Sequence, residues 1–132
     1  MNSFITVFAG KAKVDDVCPL SSSASVHEDY DCMLNQTNIK QNNNKFYVLQ
    51  LLEKGSNYYV WTRWGRVGER GQFKNMGPMD INRAIKDFEK KFKDKTGNLW
   101  DARANFKPKS GKYTVRVAAR GTHRHLSLKA LN

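Results

Sequence analysis

The octapeptide Lys45–Leu52, KFYVLQLL, constrains this chain more than any other segment. A strand with one wet face alternates apolar and polar side chains. This run has apolar residues on both faces, which suggests a central strand covered on both sides. Glu53 to Asn57 contains Gly55 and reads as a hairpin turn. Tyr58–Arg66, YYVWTRWGR, is dense in aromatic and β-branched residues and reads as the next strand. Gly65, Gly68 and Gly71 then punctuate a tight passage into Gln72-Phe73-Lys74, a further strand. Upstream, Tyr30, Cys32 and Leu34 alternate with polar neighbours as a short strand would, and Asn38–Asn44 is a polar loop. Short connections between strands imply an antiparallel sheet.

A helical period follows. Asp80 is placed to cap it, with Pro78 just outside. Ile81, Ala84, Ile85, Phe88 and Phe92 fall on one face, and Arg83, Lys86, Lys90 and Lys93 on the other. Gly97 closes the helix, Leu99-Trp100 is expected to pack back on the core, and Lys112–Ala118 reads as a last strand. The fold class is therefore α+β, an antiparallel β-sheet with one main helix packed on it. A length of 132 residues supports one domain. Pro19 and the serines of Ser21–Ser25 break any regular pattern, so residues 1–28 read as a flexible lead-in, with structure beginning near Tyr30. The domain runs over 29–118, and 119–132 is a basic tail holding Arg120, Arg124 and Lys129 with no acid.

Charge narrows the partner. The formal net charge is +11, and it is segregated: residues 1–40 hold three basic and five acidic side chains, residues 41–132 hold 20 and seven. The basic excess belongs to the folded part, which points to a polyanion such as nucleic acid. The apolar run Phe4–Ala9 is far too short to span a bilayer, so no membrane partner is expected. Cys18 and Cys32 form no CxxC pair, and His27, His123 and His125 are scattered, so no zinc site is expected and the thiols are read as reduced, with a single disulfide as the alternative. The three glycines lack the GxGxxG spacing and open no helix. With no nucleophile–base pair in a motif, the chain reads as a binding module and not as an enzyme.

The informative cluster is Arg63-Trp64-Gly65-Arg66. A Trp face can stack on a base or sugar exposed at a nucleic-acid end, Gly65 lets backbone approach closely, and each Arg can fork onto phosphate. The competing reading makes Trp64 core and Gly65 a strand-end turn. LNQTNIKQNNNKFYVLQLL, WTRWGRVGERGQ, DFEKKFKDKTGNLW and GKYTV, in order from about Tyr30 to Val117, resemble the WGR domain of the DNA-dependent poly(ADP-ribose) polymerases. The leading CPLSS and EDY are most similar to the third, short polymerase without zinc fingers.

The resemblance implies a module that binds DNA strand breaks and recognises the 5′-phosphorylated end. Trp64 would pack on the nucleotide at the break, with Asn44, Lys45 and Tyr113 near the 5′ phosphate. Arg63, Gly65 and Lys112 join them as DNA-binding candidates. Arg66 would link the DNA site to the helical regulatory part of the catalytic region. The parent would be a nuclear, NAD-dependent ADP-ribosyltransferase, with no cofactor in this chain. The family continues past the last strand into regulatory and transferase regions and this chain stops, so binding alone is expected of it; its tail, 119–125, does not resemble the family's linker. The alternatives are a stand-alone single-strand or RNA binder and a protein-interaction module.

Overall fold

The computed structural model describes residues 12–115. Five strands, β1 (Ser25–Asn38), β2 (Asn43–Lys54), β3 (Asn57–Arg66), β4 (Gln72–Met79) and β5 (Thr114–Val115), form one antiparallel sheet in the order β4-β3-β2-β1-β5. Helix α1 (Ile81–Thr96) and a 3-10 helix (Trp100–Asn105) lie between β4 and β5 in the chain. The two-faced strand β2 is central, as its sequence requires. Lys54 pairs with Asn57, so the turn between β2 and β3 is tighter than Glu53–Asn57, and Glu53 pairs with Tyr58.

Each face of the sheet has its own core. On the first face, Leu34, Tyr47, Leu49, Leu51 and Val60 pack against Ala84, Phe88 and Phe92 of α1 and against Trp100. On the second, Val26, Phe46, Val48, Leu52 and Trp61 pack against Val14 and Cys18. Cys18 and Cys32 sit on opposite faces and form no disulfide. A bulge between Val26 and Asp31 lets β1 serve both cores. Val26 and Leu34 are an even number of residues apart and would share a face in a regular strand. The pairing passes from Val26 with Leu52 to Asp31 with Gln50, so β1 carries three extra residues there, an odd number that flips the parity, and Glu28 among them takes φ 48°.

Helix α1 starts and ends where its sequence says it should. The Asp80 carboxylate accepts a hydrogen bond from the Arg83 backbone N–H at 2.9 Å. Gly97 takes φ 72° and donates its N–H to the Lys93 carbonyl, a left-handed cap that costs a glycine little. Ala84, Phe88 and Phe92 are fully buried. Trp100 wedges between Phe88 and Phe92, with ring centroids 4.8 and 5.0 Å away and planes nearly perpendicular. Its neighbour Leu99 is 58% exposed, so only half of the Leu99-Trp100 pair packs back. Among the described residues no helix is long and apolar enough to cross a membrane.

Two sequence expectations need correction. Structure does not wait for Tyr30: β1 opens at Ser25, and residues 12–24 lie against the second face through Val14 and Cys18. A sheet with apolar residues on both sides needs that second cover, and one helix supplies only the first. Among the described residues the last strand covers Thr114–Val115, paired with Asn35 and Leu34 of β1, so it opens two residues later than the expected Lys112. Residues 116–118 of the expected strand, the tail 119–132 and the first 11 residues of the lead-in lie outside the described residues.

Candidate nucleic-acid interface

Alternation along β3 sorts its functional-looking side chains between the two faces. Val60 and Trp64 face α1, while Trp61 belongs to the second core. Arg63 lies between them in sequence and turns to the second face. There its Nε donates to Asp15 Oδ2 at 2.6 Å and its Nη2 to Asp15 Oδ1 at 3.1 Å. The guanidinium also lies 5.1 Å from the Phe46 ring centroid. Arg63 and Asp15 side chains are only 14% and 8% exposed. The expectation that Arg63 stands beside Trp64 to bind phosphate is thus not supported: the structure puts the two on opposite faces, with Arg63 already engaged.

The first face has an open end past the last turn of α1. Tyr47 forms its floor. Trp64 stacks beside it, with centroids 6.0 Å apart and planes 20° apart. Tyr113 tilts against its other side at 5.8 Å. Lys95 Nζ stands 4.9 Å over the Tyr47 ring, within cation–π range. Trp64 is half-buried, which joins the two readings of the sequence: it packs on the core with part of its surface and keeps the rest open. Burial pushes the Tyr47 phenol up to about 12, so it stays neutral at working pH.

Lysines gather at the same end. Lys45 is the β2 partner of Arg66 on β3 and of Gln36 on β1. Directly opposed residues share a face, so these three form a row next to the Trp64–Tyr47 row. Burial and the nearby charges of Lys91, Lys45 and Lys112 drive the Lys95 ammonium below its usual pKa, with Asp94 opposing them. The charges of Lys45, Lys91 and Lys112 thus act on Lys95 beside a partly open aromatic group, a positive field that attracts an anion. Arg66 at the end of β3 is exposed and adds a fifth cation.

Backbone contacts hold this arrangement. The Tyr113 N–H donates to the Lys95 carbonyl at 2.9 Å, and Lys112 Nζ to the Asp94 carbonyl at 3.2 Å, so the stretch before β5 is tied to the end of α1. The Val67 N–H donates to the Asn44 carbonyl at 2.9 Å, which brings the loop after Arg66 to the start of β2. The Asn44 side chain is exposed and accepts a bond from Thr37 Oγ1 at 3.2 Å. Gly65 and Gly71 cross closely here. A Cβ on Gly65 would sit 2.9 Å from the Gly71 Cα, and one on Gly71 would strike the Trp64 carbonyl. Gly71 also has φ +83°, so the tight return into β4 requires glycine on both counts.

Of the residues singled out in the sequence, the structure brings Trp64, Lys45, Tyr113, Arg66 and Lys112 to one end of the sheet, with Asn44 and Gly65 in the supporting backbone. The sequence reading misses Tyr47, Lys91 and Lys95. The available signal was the i, i+4 spacing of Lys91 and Lys95 in the last helical turns, beside and not within the Arg83–Lys93 stripe. In that stripe Arg83 pairs with Asp87 and Lys90 with Asp94, both exposed i, i+4 pairs. It behaves as a solvated surface.

Comparison with known proteins gives the chain its family. A family model described as the WGR domain matches residues 30–107. Protein mono-ADP-ribosyltransferase PARP3 of Mus musculus is 50% identical over 123 residues, which is 91% of this chain and 23% of that protein. The Homo sapiens protein of the same name is 53% identical over 106 residues, 78% of this chain and 20% of its own length. Poly [ADP-ribose] polymerase 2 of Arabidopsis thaliana is 47% identical over 114 residues, covering 80% of this chain and 18% of that protein. The chain thus spans about a fifth of the length of the curated relatives it matches. Matched by that model and by these relatives over most of its length, the chain belongs to the WGR-domain family of the poly(ADP-ribose) polymerases.

Proposed function

We propose that the open end of the first face binds DNA at a strand break and recognises the 5′-phosphorylated terminus. One observation carries this reading: Trp64, Tyr47 and Tyr113 form a partly open aromatic group with Lys95 over it, Lys45, Lys91 and Lys112 near Lys95, and Arg66 paired with Lys45 in the adjacent row. An aromatic face stacks only on a nucleotide whose own face is exposed, as at an end or a nick, and the cations hold its phosphates. Trp64 takes the terminal nucleotide. Lys45, with Asn44 at the same strand start and Tyr113 across the floor, takes the phosphate side. Arg66, exposed at the rim, either adds a phosphate contact or meets the regulatory region of a longer parent.

The relatives are named as ADP-ribosyltransferases and polymerases. The parent's activity is then NAD-dependent ADP-ribosyl transfer in the nucleus, with this module relaying break binding to it. NAD belongs to the parent's remaining sequence. Gly65, Gly68 and Gly71 lie at the end of β3 and in its connection to β4, and they open no helix, so this glycine stretch does not fit a dinucleotide phosphate loop.

The test is affinity for a nicked duplex with a 5′ phosphate, the same nick with a 5′ hydroxyl, and an intact duplex. The phosphorylated nick is expected to bind at least tenfold more tightly than the intact duplex, with log K against log salt sloping near about −4 for roughly four phosphate contacts. Equal affinity for all three would overturn end recognition. A single strand that competes as well as the nick would replace it with single-strand binding.

A further inference from the structure

Among the described residues a densely connected polar group lies on the second face, away from the proposed DNA site, and centres on Asp15. Its Oδ2 accepts from Trp61 Nε1 at 2.8 Å and from Arg63 Nε at 2.6 Å, and its Oδ1 accepts from Arg63 Nη2 at 3.1 Å. The Asp15 backbone N–H donates to Gln50 Oε1 at 3.0 Å, and Gln50 Nε2 donates onward to the Lys13 carbonyl and to Asp31 Oδ1 at 2.9 and 2.8 Å. Gln50 is itself buried at 3% exposure. Burial alone would raise the Asp15 carboxyl; the bonds from Arg63 and Trp61 and the Arg63 charge outweigh it and hold the pKa below its usual 3.8. All of this anchors a segment that lies outside the matched 30–107 family region.

Arg63 also donates on its other side. Its Nη1 donates to the Arg70 carbonyl at 2.7 Å. Arg70 closes the loop that starts at Arg66, whose own carbonyl accepts the Glu69 N–H at 3.0 Å, while Val67 is bonded to Asn44. A guanidinium is a rigid planar fork, so an acid fixing its Nε and Nη2 also fixes the direction of Nη1. We infer that Asp15 is a positioning residue for the loop 66–71. It reaches that loop through Arg63 and the Arg70 carbonyl, and so braces the chain that follows Arg66, the β3 residue paired with Lys45. The segment 12–24 is then a working part of the module: it holds one arginine away from the ligand in order to place another. The consequence for DNA rests on the function proposed above. The positioning of the loop does not.

The experiment therefore has two arms on the full chain. In the first, amide hydrogen exchange is measured for Val67–Gly71 and, as a reference for global folding, for the Leu52–Tyr59 hairpin. Asp15→Asn keeps the size and removes the charge. It is expected to speed exchange in the loop at least tenfold more than in the hairpin, whose own change reports the global loss of stability. Arg63→Gln is expected to match it, and the double variant to exceed neither, because both substitutions cut one chain of contacts. Unchanged loop exchange in Asp15→Asn, or effects of the two substitutions that add, would overturn the inference, as would equal acceleration in loop and hairpin. In the second arm, Asp15→Asn is expected to weaken binding of the 5′-phosphorylated nick about fivefold, and to do so less in an Arg66→Ala background. A loss of the same size with Arg66 already removed would show that Asp15 does not act through the loop. A wild-type chain that binds no nick would count against the proposed function, and the exchange arm would still decide the role of Asp15.

Discussion

Trp61 and Trp64 are three residues apart on one strand and have opposite fates. Trp61 is fully buried, its indole N–H is satisfied by Asp15, and the exposed Phe73 stacks on it at 5.3 Å. Trp64 is half-open, with its flank on Tyr47 and lysines around it. The arginines follow the same split: Arg63 is locked in an ion pair and Arg66 is exposed. A motif read as a linear string joins residues that the pleat sends to different faces. The difference also explains the segregated charge of the chain. The acidic first part supplies Asp15 to Arg63 and Asp31 to Gln50 on the second face, and Asp29 to Arg103 beside Trp100, so Arg63 and Arg103 are both paired away from the Trp64 end. The open end of the first face keeps its positive field.

The sharpest way to break this comparison is to truncate both indoles. Trp61→Ala is expected to cost about 3–5 kcal/mol of stability, read by chemical denaturation, because it empties a filled core position. Trp64→Ala is expected to cost clearly less, and instead to lose about 1–3 kcal/mol of binding to the nicked duplex, the worth of one stacked base. Similar stability losses in the two variants would mean that Trp64 is simply core.

Asp15→Ala comes next, with an expected loss of about 3 kcal/mol, at the low end for a mostly buried pair deprived of one partner. Its pH dependence has a definite sign. The folded pKa is depressed, so the Asp15 contribution is complete above the unfolded value of about 4 and fades as the pH falls through the folded value. Denaturation measured from pH 7 down to pH 2 should therefore show a steeper acid loss in the wild type than in Asp15→Asn.

Much of this was legible in the sequence. The central strand, the hairpin and the capped helix each rest on local chemistry: two apolar faces, Gly55, Asp80 and Gly97. The brace of residues 12–24 was not. Pro19 and the serines do break regular structure there, but the segment is held by single side chains whose partners lie 35 to 48 residues away. The place of Arg63 was present in the parity of β3 and hidden by the attraction of the WGR string. Lys95 was overlooked because a helix rich in lysine reads as a solvated stripe, and only the docking of Tyr113 on its last turn singles this lysine out.

Smaller effects separate the lysines. Lys95→Ala or Lys45→Ala should lower the magnitude of the salt slope for nick binding by about 1, the signature of one lost phosphate contact. Lys90→Ala should leave both binding and slope unchanged and shift stability by no more than about 0.5 kcal/mol, since its pair with Asp94 is exposed. A slope change with Lys90→Ala equal to that with Lys95→Ala would move the DNA surface onto the helix stripe.

The most direct measurement is backbone amide chemical-shift mapping during titration with a 5′-phosphorylated nicked duplex. The expected shifts concentrate at Asn44, Lys45, Trp64, Arg66, Lys95 and Tyr113, with Val14, Trp61 and the Arg83–Lys90 stripe still. Shifts centred on that stripe or on the second face, with the Trp64 end silent, would contradict the assignment of the open end as the reader of the broken strand.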